Sequence, residues 1–237
     1  MADWFEEWFG EEYLRLYPHR NDADAERLVQ LLRRTLPWKP GWRVLDVASG
    51  AGRHMRALAQ AGAHPIGLDL SASLLRRARE EIRAPLIRAD MRWLPVRSGT
   101  MDLTVNLFTS FGYFESDQDH VAALAEMTRT VKPTGWFALD FFNAEAVLPR
   151  LVPEERVVLA GAPVEIRRRL SPDHRFVIKT IMTEEGREFT ERVRLFSPRE
   201  LETMLAAQGV TATQRFGDYE GAPLGEGSRA VLVGRRA

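Results

Sequence analysis

The sequence predicts an α/β fold: a seven-stranded, mostly parallel sheet with helices on both faces and an inserted antiparallel β subdomain. Three observations carry this. Short apolar, β-branched runs alternate with helical periodicities over residues 41–143. A glycine-rich turn at Gly50 and Gly52 joins the first strand to its helix. After Asn143 the pattern changes to β-branched runs separated by turns, before a last helix and two strands.

Composition narrows the class. A chain of 237 residues holds one large domain with room for an embedded subdomain. Its 33 basic and 33 acidic residues cancel, which argues against a nucleic-acid partner, since that usually needs a basic surface. There is no cysteine, hence no disulfide framework and no thiolate nucleophile. No apolar run approaches the ~20 residues of a membrane span, and no basic region followed by an apolar run opens the chain. The expectation is a cytoplasmic protein with no membrane partner.

The elements follow in order. Residues 3–17 alternate aromatic and acidic pairs at helical spacing, so an amphipathic helix weakened at Gly10 is expected, ended by Pro18. It either packs on the domain or forms a lid over the glycine-rich turn, with Tyr13, Tyr17, His19 or Arg20 facing a ligand. Asn21 or Asp22 caps a helix whose apolar face is Ala25, Leu28, Val29, Leu31 and Leu32. Strands are expected over 42–48, 64–70, 85–90, 101–107 and 136–142. Between them lie a helix from Gly52 to Gly62, one capped by Ser71, and one opened by Ser116 with Val121, Leu124, Met127 and Val131. Lys132-Pro133-Thr134-Gly135 reads as a turn. Four β-branched runs over about 155–196 read as an antiparallel meander. Ser197-Pro198-Arg199-Glu200 is a capping box, and strands over 210–216 and 229–234 close the sheet.

Ligands of an open parallel sheet bind outside the carboxyl ends of its strands. Four strand ends therefore converge on one edge. The first supplies Asp46 and the turn Ala48 to Gly52. The second supplies Asp69 and Leu70, the third Asp90 and Met91, and the fourth Asn106 and Phe108. Backbone N–H groups at a glycine turn and helix N-terminus suit an anionic or polar ligand. An acid about twenty residues further on suits the two hydroxyls of a ribose. Each acid has a plainer alternative as a turn or helix cap.

The stretch Val-Leu-Asp-Val-Ala-Ser-Gly-Ala-Gly, from Val44 to Gly52, is similar to the first motif of the class I S-adenosylmethionine-dependent methyltransferases. Gly67-Leu-Asp69-Leu-Ser71 resembles their second motif, and Arg88-Ala-Asp90-Met91 their adenine-binding motif. Asn106 to Phe114 and the meander resemble small-molecule members, sugar N-methyltransferases among them. The resemblance implies a Rossmann-like domain over 41–143 and 197–237, an N-terminal helical lid over 1–40, and an inserted subdomain over 144–196. It implies S-adenosylmethionine as cofactor, with Asp69 on its ribose, Asp90 on the adenine amino group and the Met91 N–H on a ring nitrogen. Asp46, Ala48, Gly50, Gly52, Leu70, Asn106, Phe108, Tyr13 and Arg20 complete the expected cofactor site. Ala48 departs from the pattern, which commonly has glycine there; an ordinary backbone angle is expected of an alanine.

Methyl transfer from a sulfonium is an in-line displacement, so alignment supplies much of the rate. A base is needed only for a protonated nucleophile; Tyr113 and His120 are candidates, with His54 and Tyr17. Asp140 and Asn143 sit after the fifth strand where a metal-dependent enzyme would place ligands, but no third ligand is evident, and no metal is expected. The expected reaction is methylation of N or O on a small molecule, by a monomer or homodimer. The rivals are a nicotinamide-dependent oxidoreductase and a non-catalytic protein that binds S-adenosylmethionine. The meander is expected to wall the acceptor pocket, or else to form a dimer interface.

Overall fold

The computed structural model describes residues 4–17, 22–225 and 228–237, the side chains of Glu6 and Glu7 excepted. The aromatic N-terminal segment forms two helices, α1 (Trp4–Trp8) and α2 (Glu11–Leu16), broken at Gly10. Helix α3 (Asp22–Thr35) buries the apolar face expected of it. Strands β1 (Arg43–Val47), β2 (His64–Asp69), β3 (Leu86–Arg88), β4 (Met101–Asn106) and β5 (Val131–Phe142) alternate with helices α4 (Arg53–Gln60), α5 (Ala72–Glu81) and α6 (Asp117–Thr130). A short helix α7 (Ala144–Val147) and a 3-10 turn lead to β6 (Glu154–Leu159), β7 (Ala162–Leu170), β8 (Phe176–Thr183) and β9 (Glu188–Arg194). Helix α8 (Pro198–Ala207) and strands β10 (Val210–Phe216) and β11 (Arg229–Arg236) end the chain.

The first sheet has the order β10-β11-β5-β4-β1-β2-β3. Strand β11 runs antiparallel to both its neighbours, and the other pairs are parallel. Helix starts follow their cap residues. Ser71 accepts from the Leu74 N–H, Ser116 from the Asp119 N–H, and Ser197 with Glu200 closes a capping box. Two local expectations fail. Lys132 to Gly135 is an irregularity inside β5, where the register with β4 slips between Met101 and Leu103 and Thr134 takes a φ of 62°. Val121 lies on the solvent side of α6, 45% exposed, because Ala123, Leu124 and Met127 already fill the buried face.

The sheet separates two apolar layers. Leu28, Leu31 and Leu32 of α3 pack with Leu58 of α4 on Val44, Leu103 and Val105. On the other face, Leu124 and Met127 of α6 and Leu201 and Leu205 of α8 meet Leu45, Val47, Phe137 and Leu139. Each such side chain contributes roughly 1.5–3 kcal/mol by leaving water. Gly67 of β2 is a tight crossing point. A Cβ there would sit 2.3 Å from Met55 Sδ, 2.8 Å from Ser49 Oγ and 2.9 Å from Leu86 Cδ2. Gly67→Ala is therefore expected to cost about 1–3 kcal/mol in denaturant titration, because Met55 and the glycine turn must both shift.

The second sheet, β6-β7-β8-β9, is wholly antiparallel. Its inner face holds the N-terminal helices. Trp8, Tyr13 and Leu16 cluster with Val164, Ile166 and Ile181, with Val157, Leu159 and Phe189 alongside. Trp8 Nε1 donates to Glu191 at 2.8 Å and its ring lies 4.7 Å from that of Phe189. The meander thus carries the helices, and they stand between it and the edge where β1 to β4 end.

Candidate active site

At that edge a cavity of ≈ 870 Å³ opens. Its floor is Ala48 to Ala51 with Arg53 and His54, one side is Leu68 to Leu74, another Arg88 to Met91, and a third Leu107, Phe108, Ser110, Tyr113 and Phe114. Phe5, Phe9, Tyr13 and Tyr17 form the cover. Phe9 stacks on Tyr113 with centroids 5.5 Å apart, and Tyr13 packs on Phe9 at 5.0 Å and Tyr17 at 5.3 Å. Ser71 Oγ donates to Phe9 O, and Trp4 Nε1 to Tyr113 O at 3.3 Å, so the cover is tied to both banks of the site. No residue of 144–196 lines this cavity among the described residues, which corrects the expectation that the meander would wall it. The reason is packing: α1 and α2 fill the meander's apolar face, and the site sees only their far side.

Of the expected cofactor residues, Tyr13, Ala48, Gly50, Asp69, Leu70, Asp90, Met91 and Phe108 share the cavity wall. Arg20, and His19 beside it, lie outside the described residues. Asp46, Gly52 and Asn106 stand behind the wall. Gly52 is needed for packing: it starts α4 at a φ of 83°, and a Cβ would meet Ile82 Cδ1 at 2.2 Å. Asn106 is fully buried and donates from Nδ2 to Val47 O at 3.0 Å, stapling β4 to the end of β1. Ala48 takes a φ of 61°, against the ordinary angle expected. That conformation costs about 1–2 kcal/mol for an L-residue. It is held by the Ser49 N–H on Leu68 O at 2.9 Å and the Gly50 N–H on Asp69 Oδ2 at 2.8 Å.

The acids divide by their partners. Asp69 accepts from Gly50 on one oxygen and from the Ser71 N–H on the other, 2.8 Å each. It is a cap and also lines the cavity, with lone pairs remaining for further donors. Burial raises its pKa, and N–H groups of Ser71, Gly50 and Leu70 restrain the rise. Asp90 accepts the Arg92 N–H at 2.8 Å and the Arg92 guanidinium through Nε and Nη2. Asp46 is pushed up to about 8, first by burial and then by the charge of Asp69, with Arg53 opposing. Between the unfolded value near 4 and about 8, the folded state then binds the extra proton, so this carboxyl makes stability fall as pH rises. Asp46→Asn should therefore raise the melting temperature at pH 8, with the gain shrinking toward pH 4. Equal shifts at both pH values would contradict it.

The base candidates also separate. Tyr113 lines the cavity, as do His54 and Tyr17. His120 does not. It is fully buried against Phe111, Phe114 and Phe196, and burial lowers its pKa to about 4. Burial, with Arg53, Arg229 and Arg56 nearby, also keeps His54 neutral.

Sequence reasoning missed the network beneath Phe108. Asp140, fully buried, accepts from Arg229 Nε at 2.8 Å, Tyr219 Oη at 2.9 Å and the Phe108 N–H at 2.8 Å, while its carbonyl accepts the Thr109 N–H. Phe108 and Thr109 both have φ near 60°, so this clamp holds a strained turn at the cavity wall. Arg53 lies over the Phe108 ring at 3.9 Å. Asp140 is thus taken up by an arginine and a tyrosine, and Asn143 caps α7. No group of potential metal ligands occurs among the described residues.

Residues 44–135 match the family described as a methyltransferase domain. A demethylmenaquinone methyltransferase of Corynebacterium urealyticum is 36% identical over 48% of this chain and 48% of its own length. A tRNA 5-carboxymethoxyuridine methyltransferase of Escherichia coli is 28% identical over 56% and 53%. The chain spans about half the length of these curated relatives. Among solved structures, the CcbJ methyltransferase of Streptomyces caelestis superposes with a TM-score of 0.80 at 19% identity, covering 97% of this chain and 98% of that one. CalS10 of Micromonospora echinaspora, an amino pentose methyltransferase solved with S-adenosylmethionine bound, gives 0.69 at 24% identity, covering 95% of each. Residues 44–135 thus match a methyltransferase domain, and the chain has the Rossmann-like fold seen in S-adenosylmethionine-dependent methyltransferases.

Proposed function

We propose that the protein transfers a methyl group from S-adenosylmethionine to a nitrogen or oxygen of a small molecule. The observation that carries this is the covered cavity, in which a glycine turn, a ribose-type acid and an aromatic lid meet at one sheet edge. The residues fit the cofactor. Asp69 keeps acceptor capacity beyond its two backbone bonds, and Ala48 and Gly50 of the turn line the cavity. When bound, S-adenosylmethionine supplies a methyl on a sulfonium leaving group. Asp69 would hold the ribose hydroxyls, Leu70 and the Met91 N–H the adenine ring, and Gly50 and Ala48 the methionyl end. Asp90 would reach the adenine amino group with lone pairs that Arg92 leaves unused. The chain's work is then alignment and exclusion of water, with Phe5, Phe9, Tyr13 and Tyr113 closing the site. Tyr113, at the cavity wall, would take the proton from a protonated acceptor. Zero net charge and the enclosed site favour a small acceptor, in the cytoplasm, over a nucleic acid.

The test is formation of S-adenosylhomocysteine with a panel of amino sugars, quinols and unmodified tRNA. Turnover on a small amine or hydroxyl compound supports the reading. Turnover only on tRNA would overturn the acceptor class while keeping the reaction, and no turnover with tight cofactor binding would favour a non-catalytic binder.

A further inference from the structure

The antiparallel sheet has two edges. Edge strand β9 is engaged: Arg194 N–H donates to Gly112 O at 2.7 Å, Trp8 bonds Glu191, and Arg192 pairs with Glu115. Edge strand β6 takes no partner on its outer side among the described residues. Its odd-numbered residues bond inward to β7, as the Arg168 N–H on Pro153 O shows. By alternation, the N–H and C=O of Glu154, Arg156 and Val158 point outward. No backbone bond to these groups occurs among the described residues beyond the β6–β7 ladder. The side chains of the same three residues lie on the exposed face, opposite Val157 and Leu159, which face the N-terminal helices.

A long open edge is a template for another strand, and isolated proteins usually blunt it with lysine, proline or a bulge. Strand β6 has no lysine, proline or bulge within Glu154–Leu159, its outward charges Glu154 and Arg156 are of opposite sign and so can pair with a second copy of themselves, and Pro153 directs its missing donor toward β7. Beside the two exposed charges the edge presents valines. Of the four large hydrophobic residues exposed among those described, Val158 at 68% lies on this strand and Val152 at 50% two residues ahead of it.

We propose that a second copy of this chain pairs with β6, antiparallel about a two-fold axis at Glu155, to make a continuous eight-stranded sheet. Antiparallel pairing of a strand with itself is inherently two-fold symmetric. This register is set by the side chains. It places Glu154 opposite Arg156 of the other copy, and Val152 opposite Val158, each pair occurring twice on the exposed face. Moving the centre by one residue, to Arg156, would oppose two arginines directly. On the inner face the two Glu155 carboxylates meet at the axis, each already neutralised by Arg168 Nη2 at 2.5 Å. Because β6 also packs beneath the helices that cover the active site, pairing would steady that platform in both copies.

Sedimentation velocity across concentrations, with circular dichroism to confirm folding, tests this. The wild-type chain should dimerise. Glu154→Arg and Arg156→Glu should each weaken the dimer at least tenfold, and the double exchange should restore it, which a merely structural role would not produce. The sequence lacks cysteine, so disulfide trapping is free of background. Val152→Cys combined with Val158→Cys should form an oxidised dimer on a non-reducing gel, and Val158→Cys alone should not. A wild-type monomer at 100 µM, or a dimer unaffected by all of these changes, would overturn the proposal.

Discussion

Asp140→Ala is expected to be the most damaging single change at the site, costing about 3–5 kcal/mol of stability. The substitution removes a carboxylate, itself fully buried, that holds Arg229, Tyr219 and the Phe108 N–H. The guanidinium of Arg229 is then left with an uncompensated charge in the interior, which is the larger part of the cost. For a chain of this size the melting temperature should fall on the order of 10 °C. Replacing both partners, Asp140→Leu with Arg229→Met, should recover much of the stability, since a buried pair can be exchanged for apolar packing. It should not recover the turn: Phe108 and Thr109 would relax from their positive φ, and cofactor affinity should remain low. A melting temperature of Asp140→Ala within 2 °C of wild type would show that the clamp carries little.

Asp69→Ala is expected to weaken S-adenosylhomocysteine binding by about 10²–10⁴-fold. Two ribose hydroxyls donating to one charged, buried acceptor are worth roughly 1.5–3 kcal/mol each. Part of the loss will come through the protein itself, because the same carboxylate accepts the Gly50 N–H and so sets the glycine turn. Asp69→Asn separates the contributions. It keeps one acceptor oxygen and most of the shape, so it should retain more of the melting temperature than of the affinity. Calorimetry and thermal melting on the same samples measure both. Unchanged affinity in a folded Asp69→Ala variant would leave the acid only its capping role.

The parallel sheet was legible because its signals are local. A glycine turn after Val47, serine caps at positions 71, 116 and 197, and acids at strand ends each fix a position by chain chemistry alone. What could not be read depends on order in space. Arg229 and Tyr219 reach Asp140 because β11 inserts beside β5, a pairing that no periodicity reports. The meander was read correctly as an antiparallel sheet. Its role was misplaced because the sequence does not say which face the aromatic helices occupy, and Trp8, Tyr13 and Leu16 settle that by filling it. Ala48 shows a third limit. Residue type favours an ordinary angle, but two backbone bonds in the folded turn outweigh the preference. Asp46, Asn106 and His120 were chosen by position along the chain, yet each points into the interior rather than the cavity.

The central claim is that the covered cavity at the carboxyl edge of the sheet holds S-adenosylmethionine. Isothermal titration of the purified chain with S-adenosylmethionine, S-adenosylhomocysteine and NAD tests it most directly. The account predicts one molecule of either sulfur compound bound per chain, in competition with each other, and no heat from NAD. Saturable binding of NAD, with none of the sulfur compounds, would contradict it.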